Sequence, residues 1–261
     1  MKIFTVANQK GGVGKTTTVA ALGGILSDRG YRVLMIDCDP QASLTSYFDY
    51  ESELLSSSLF DLFADEHLTH QKVKNSLIDL PHEKISLIPA SLSLATLDKQ
   101  FGSREGMGLI LKRVLKLLED DFDFVLIDCP PILGMIMINA LAACQHLLIP
   151  VQTEFLAIKG LERMMNTLNM VIKAQHHSID YRIVPTMFDR RTKASIRALR
   201  SMRDEFGYYL WKKVIPVDTK FRDASQAHRT PGSLYPHTHG VMAYHKLTDT
   251  LLAMSAHTKV A

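Results

Sequence analysis

An apolar run from Ile3 to Ala7 breaks into Lys10-Gly11-Gly12-Val13-Gly14-Lys15-Thr16-Thr17, and this junction constrains the fold more than any other stretch of the chain. A strand that ends in glycines and restarts in Lys-Thr describes a loop whose backbone N–H groups converge on phosphate oxygens at the start of a helix. Glycines at 11, 12 and 14 admit backbone conformations that a side chain forbids. In such a loop Lys15 bridges the β- and γ-phosphates, the Thr16 hydroxyl ligates Mg²⁺, and Val13 and Thr17 complete the nucleotide-binding segment. Counting back from Lys15 puts Gln9 where the general G-x-x-x-x-G-K-S/T pattern has its first glycine; a second lysine, Lys10, stands inside the loop instead.

Apolar strand candidates near 2–7, 32–37, 85–89, 123–128, 146–150, 181–187 and 211–215 alternate with helix-period segments near 15–29, 107–119, 157–175, 193–206 and 241–254. This rhythm predicts an α/β fold with a mostly parallel, doubly wound sheet and helices on both faces, and the phosphate loop after its first strand makes the expected architecture that of a P-loop NTPase. With 261 residues, 46% of them hydrophobic, the expectation is one domain spanning 1–261. Gly30 and Gly207 are expected to close helices in left-handed conformations, and Pro40, Pro130 and Pro131 fall just past strand ends. The polar, weakly periodic segment 49–82 reads as a surface excursion.

Three cysteines, Cys38, Cys129 and Cys144, lack the spacing of a disulfide framework or zinc site, which predicts buried thiols in a reducing cytosol. No signal peptide precedes the first strand, and the apolar stretch from Val125 to Val151 is interrupted by Asp128, Pro130, Pro131 and His146, so no membrane span is expected. A formal net charge of +3 argues for nucleic acid only if the charges cluster. On the helix beginning near 193, Lys193, Arg197, Arg200 and Arg203 share one face, opposite Ala198, Leu199, Met202 and Phe206. Arg190 and Arg191 precede that helix, and Lys220, Arg222 and Arg229 follow it. Such a band suits phosphate contacts without base reading, although any solvated helix face has the same pattern.

Ligands of an open parallel sheet bind at the carboxyl ends of its strands, where this chain places carboxylates. Asp128, after Val125-Leu126-Ile127, is placed to hold Mg²⁺ or its water, and Asp39, two residues past another strand end, faces the same crevice. Asp39 before Pro40 is also a common turn pair, and Asp37 has a structural reading as a hydrogen-bonded strand-end acid.

The lysine-first loop resembles the deviant Walker A motif of the ParA/MinD family, the signature-lysine ATPases. The segment 33–41 is similar to that family's second strand and switch I, and the segment 124–131 to its Walker B strand and switch II. Segments 148–152 and 214–216 also follow its pattern, so the resemblance covers nearly the whole chain. It implies an Mg²⁺-dependent ATPase in which Asp39 orients or deprotonates the attacking water and Asp37 is tied to the metal site and loop geometry. It further implies that Lys10 contacts the partner's phosphates in an ATP-sandwich homodimer, with contact inside its own subunit as the alternative. The dimer then separates once hydrolysis removes the γ-phosphate. For the base, the resemblance points to Thr186, Met187, Pro216, Val217 and Asp218. Slow basal turnover is expected, because the loop supplies no arginine finger in cis.

The same resemblance assigns sequence-independent DNA binding to the residues at Arg191 and Lys220, within a set made of Arg190, Arg191, Lys193, Arg197, Arg200, Lys220 and Arg222. The segment 220–225 departs from the family's Arg-Leu-Ser-Glu-Ala-Pro, keeping positive charge but losing the rigid proline. A cargo or adaptor protein that stimulates hydrolysis is the remaining partner. The segments 43–48 and 58–63 lean toward the ParC-type branch, which positions chemotaxis arrays at cell poles; chromosome or plasmid partition is the other cargo. A loop beginning at residue 9 leaves no N-terminal helix-turn-helix, and the tail 251–261 lacks the basic amphipathic segment of membrane-bound members. The expectation is a cytoplasmic, nucleoid-associated protein without a membrane anchor, concentrated at a pole where the cargo is there. Two other classes stay open: a metabolic P-loop ATPase or synthetase, and a nucleotide-dependent protein switch without DNA binding. A cluster-bridging iron protein does not fit the contexts of Cys129 and Cys144.

Overall fold

The computed structural model describes residues 1–81, 83–102, 104, 106–175 and 179–257. Its strands are β1 (Lys2–Val6), β2 (Val33–Asp37), β3 (Ile78–Asp79), β4 (Ile85–Ile88), β5 (Phe124–Asp128), β6 (His146–Gln152) and β7 (Asp180–Thr186). They form one sheet in the order β3-β4-β2-β5-β1-β6-β7, in which every pairing is parallel except β3 with β4. β2 and β5 are buried along their whole length, which is why they read as unbroken apolar runs: helices cover both faces of the sheet. The register pairs Val6 with Asp128 and Asp37 with Asp128, so the carboxyl ends of β1, β2 and β5 stand level.

On one face the helices Lys15–Asp28 and His239–His257 pack Leu22, Ile25, Tyr244 and Leu247 into the sheet. On the other, Ile110–Leu117, Met135–Ala143 and Phe155–Gln175 contribute Leu111, Leu141 and Leu161. The helix that follows the loop also lies tight against the segment near Thr230: a Cβ on Gly24 would stand 2.4 Å from Thr230 Oγ1. Among the described residues no helix is long and apolar enough to cross a membrane. The reading of the tail extends to 258–261, which lie outside the described residues.

Three expectations change. The segment 211–215 is not a strand. Trp211 N donates to Ile183 O and Ile215 N to Pro185 O, both at 2.8 Å, but between these anchors the exposed Lys212 and Lys213 leave the sheet edge, and only isolated bridges remain. Gly207 ends the helix Lys193–Phe206 at φ −46°, right-handed, because the turn runs on with Tyr209 N and Leu210 N both bonded to Phe206 O. Gly30 takes φ +90° as expected. The segment 49–82 is more than a surface excursion: its helices Leu59–Ala64 and His70–Asn75 bury Leu59, Phe63 and Val73 in the core, and β3 extends the sheet. The first of these helices starts where Asp61 accepts from Ser58 N at 2.7 Å, a capping-box bond.

Candidate functional site

The loop leaves the carboxyl end of β1, a central strand, and Gly12 and Gly14 take φ +72° and +90° before the helix begins at Lys15. A side chain costs about 1–2 kcal/mol in that left-handed region, so glycine is required to fold the backbone into an anion-binding concavity. Neighbouring strand ends brace it. Thr186 Oγ1 donates to Val13 O at 2.9 Å, and Gln152 Nε2 donates to Gly12 O at 3.0 Å. Asn8, bonded to Pro150 O at 2.8 Å, accepts from Lys10 N at 3.0 Å.

The two lysines are held differently. Lys15 is only 8% exposed and lies back over the loop, its Nζ 3.4 Å from Lys10 O. Lys10 is directed toward β6: its Nζ donates to Gln152 Oε1 at 3.0 Å and pairs with Glu154. In the isolated chain Lys10 therefore has a counter-charge of its own.

The carboxylates divide by their partners. Thr16 Oγ1 donates to Asp128 Oδ2 at 2.6 Å, while Asp128 Oδ1 is buried with no partner among the described residues. Burial first, then the Asp37 charge, pushes the Asp128 carboxyl up to about 8. A buried, unpaired carboxylate oxygen beside a threonine hydroxyl is an all-oxygen donor set that fits a hard divalent cation such as Mg²⁺. Asp37 instead accepts from Thr45 N and Thr45 Oγ1, each at 2.8 Å, and from Asp39 N at 3.0 Å. Burial raises its carboxyl to about 6 against those bonds. These bonds tie Asp37 to the 39–45 loop, and the sheet register sets it opposite Asp128. Asp39 is half-buried at the mouth of the crevice, and its Oδ1 accepts from Gln41 N at 3.0 Å.

On the β7 side, Met187 adopts φ +51° and its sulfur accepts from Gln152 Nε2 at 3.0 Å, while Val217 N donates to Phe188 O at 3.1 Å. Met187 thus stands beside the loop, while Pro216 and Val217, tied to Phe188, run from there into the lining of the basic cleft. The Thr186 hydroxyl is occupied by the loop itself, and the Asp218 carboxylate by Lys220 N at 3.0 Å and Gly240 N at 2.9 Å. Thr17 is half-buried in the first helical turn, and Gly11 is exposed.

The basic band is split by the fold. A cleft of ≈ 1030 Å³ lies between the helix Lys193–Phe206, the segment 212–217 and the helix His239–His257. Arg190, Arg191 and Arg200 line it together with Arg203. Lys212, Lys213 and Lys246 line it too, and sequence reasoning missed them because only the tertiary fold brings them there. Lys193 and Arg197 lie on the same helix outside the cleft lining, and Lys220 and Arg222 belong to the separate helix Lys220–Gln226. Arg191 is paired with Asp189 at 2.8 Å, which holds that carboxyl down to about 2, and Lys220 is paired with Asp223 at 2.7 Å. Cys38, Cys129 and Cys144 are buried, and burial pushes all three thiols up, Cys144 to about 12.

The family described as AAA domain matches residues 1–181. Sporulation initiation inhibitor protein Soj of Bacillus subtilis (strain 168) is 35% identical over 256 residues, covering 97% of this chain and 98% of Soj. Among solved structures, cobyrinic acid a,c-diamide synthase from Mycobacterium smegmatis with bound ADP and magnesium is similar at a TM-score of 0.81 and 31% identity, over 96% of this chain and 94% of that one. An aspartate-to-alanine variant of McdA from Cyanothece in complex with ATP is similar at a TM-score of 0.85 and 25% identity, over 96% of each chain.

Proposed function

This chain belongs to the ParA/MinD family of ATPases, and on that footing we propose that it is an Mg²⁺-dependent ATP hydrolase that dimerises around ATP, binds DNA without sequence preference and positions a cargo through partner-stimulated hydrolysis. The observation that carries the reading is the 2.6 Å bond from Thr16 to a half-satisfied, buried Asp128 beneath a loop with two lysines. Bound ADP with magnesium in one similar structure and ATP in another support the same ligands here. In this reading Lys15 and the loop N–H groups hold the phosphates, and Thr16 and Asp128 hold Mg²⁺, which supplies charge neutralisation on the phosphate oxygens. A cation bound there would take the place of the proton that burial favours on the Asp128 carboxyl. Asp39, at the mouth of the crevice, orients the attacking water or takes its proton. Met187, Pro216 and Val217 supply an apolar wall for the base.

Dimerisation through this rim is supported by exposed apolar side chains on both sides of the loop. Ile132 and Leu133 follow β5, Phe155 and Leu156 follow β6, and β5 and β6 flank β1; Ile132 is 73% and Phe155 74% exposed. Lys10 leaves Glu154 for the partner's phosphates as the dimer forms. The basic cleft, widened by Lys212, Lys213 and Lys246, is the DNA-contacting surface that the charge distribution favours. A single domain over 1–261, nucleoid association, slow basal turnover and a chemotaxis or partition cargo complete the proposal. The helix Leu59–Ala64 buries Leu59, Leu62 and Phe63, so cargo choice rests on other surfaces. The synthase named for the Mycobacterium smegmatis protein favours the metabolic alternative, but each of the three buried cysteines here is unsuited to serve as a glutamine-hydrolysing nucleophile. Retention of random-sequence DNA in ATP and in ADP, for wild type and Asp39→Ala, tests the reading. ATP-dependent, sequence-blind retention that persists in Asp39→Ala is expected; no retention in either nucleotide at modest salt removes DNA from the proposal.

A further inference from the structure

The opposite rim of the sheet carries a second concavity. At the amino ends of β1 and β6, the helix Ile110–Leu117 and the end of the helix Met135–Ala143 border an open trough of ≈ 920 Å³. Its floor is closed by the buried Leu115 and Ala142, and the apolar side chains that reach its surface are the half-buried Ile3 and, at the edge, Leu109, 46% exposed. Ile138, four residues before Ala142 and so on the same helix face, extends the apolar strip into solvent.

The charge around this floor is mostly positive. Lys112, Arg113 and Lys116 line the trough, and Glu119 is the one acid among its described lining residues. Lys116 already satisfies Glu119 at 2.7 Å, whereas Lys112 and Arg113 are exposed and have no ion-pair partner among the described residues. An apolar strip edged by two unpaired cations is complementary to a chain segment with apolar side chains on one face and carboxylates beside them.

We propose that this trough docks an acidic amphipathic segment of a partner protein, with its apolar side chains on Ile3 and Leu109, over the floor closed by Leu115 and Ala142, and its carboxylates against Lys112 and Arg113. A second copy of this chain does not suit the site, because Glu119, the one acid among the described lining residues, is already held by Lys116, so an isologous contact offers Lys112 and Arg113 no free carboxylate. Duplex DNA does not suit it either, since its phosphates would lie on the apolar floor. A small anionic ligand lacks a converging set of buried polar side chains there; the charged groups all stand at the edge. The trough and the nucleotide loop lie at opposite ends of β1, so a dimer formed through the loop rim leaves the trough open, and a partner is held in either nucleotide state. The inference does not rest on the ATPase reading.

The test uses the full chain and three fluorescein-labelled helical peptides: one with Leu at i, i+3, i+4 and i+7 and Glu on the flanks, one with Lys in place of Glu, and one with Ser in place of Leu. Fluorescence anisotropy is measured on wild type, on Leu109→Asp and on the double variant Lys112→Glu with Arg113→Glu; nucleotide binding by each variant checks folding. The Leu/Glu peptide is expected to bind wild type at least about tenfold tighter than either control, a free-energy gap near 1.4 kcal/mol. Charge reversal should remove that preference and transfer it to the Leu/Lys peptide. Equal binding of the three peptides, no saturable binding of the Leu/Glu peptide, an unchanged preference in the double variant, or full displacement by random duplex DNA overturns the proposal.

Discussion

Replacing Asp128 by asparagine should flatten the pH dependence of stability in the metal-free protein. Asp128 is held at about 8 against an ordinary value of 3.8, chiefly by burial and then by the Asp37 charge. A carboxyl whose folded pKa lies above its unfolded one contributes stability that is fully present below the unfolded value and is lost as pH rises through the folded value. The window is therefore pH 4 to 8. At about 1.36 kcal/mol per unit, this one carboxyl costs the wild type up to about 4 kcal/mol between pH 5 and pH 8, and relaxation around the buried charge leaves about 2 kcal/mol or more to be measured. Asp37, held at about 6, adds a smaller loss that both proteins share.

The asparagine keeps an acceptor for Thr16, but its amide faces the position where Asp128 Oδ1 has no partner, which costs about 1–3 kcal/mol at every pH. Absolute stability of the variant is thus a mixture of two effects, and the difference between pH values separates them. Urea unfolding of both proteins in EDTA at pH 5 and pH 8 supplies that difference. The wild type should lose about 2–4 kcal/mol more than Asp128→Asn across the interval. Equal losses, whichever protein is the more stable, would refute the assignment of a strained, proton-holding acid at this site. Adding ATP and Mg²⁺ at pH 8 should stabilise the wild type more than Asp128→Asn, because the wild type alone exchanges its proton for the cation and gains the ligand's stabilisation.

Lys10→Ala should retain ATP binding yet lose the ATP-dependent dimer and stimulated hydrolysis, read by sedimentation and phosphate release; an intact dimer would place Lys10 outside the interface. Glu154→Gln should act in the opposite direction. The Lys10–Glu154 pair is substantially exposed, at 30% and 50%, so it is worth only about 0.2–1 kcal/mol, and with one pair broken in each protomer its loss should tighten the dimer about 2- to 30-fold; a weaker dimer would show that Glu154 serves the interface instead of competing with it. Lys212→Glu with Lys213→Glu should weaken retention of random DNA and reduce its salt slope more than Lys220→Ala, whose lysine is already paired with Asp223; the reverse ranking would return the DNA surface to the helix Lys220–Gln226. Gly14→Ala should cost about 1–2 kcal/mol at φ +90° and abolish nucleotide-dependent thermal stabilisation, and unchanged stability would mean that the loop relaxes without its left-handed turn.

What the sequence discloses here depends on whether a feature is made by neighbours in the chain or by the fold. β1, β2 and β5 are buried from both faces, so their apolar runs place them to within about a residue or two. The phosphate loop is equally local, its left-handed glycines and the helix start lying within a few residues. Trp211 and Ile215 mimic a strand because both ends are buried, yet a ladder needs a partner along its whole length, and Lys212 and Lys213 are turned out to solvent between them. The same two lysines then meet Arg200, Arg203 and Lys246 in the cleft, a meeting that no periodicity encodes.

Asp37 and Asp128 make the limit sharpest. Each ends an apolar strand, each is followed by cysteine, and they stand opposite one another in the sheet. Their chemistry diverges only through hydrogen bonding: Thr45, eight residues on, and the Asp39 N–H satisfy both oxygens of one carboxylate, while the other has, among the described residues, one buried oxygen without a partner and a single hydroxyl from across the crevice. A strand-end aspartate is therefore legible as a candidate from the chain alone, but whether it fastens a loop or waits for a cation is decided by which donors the fold brings to its two oxygens.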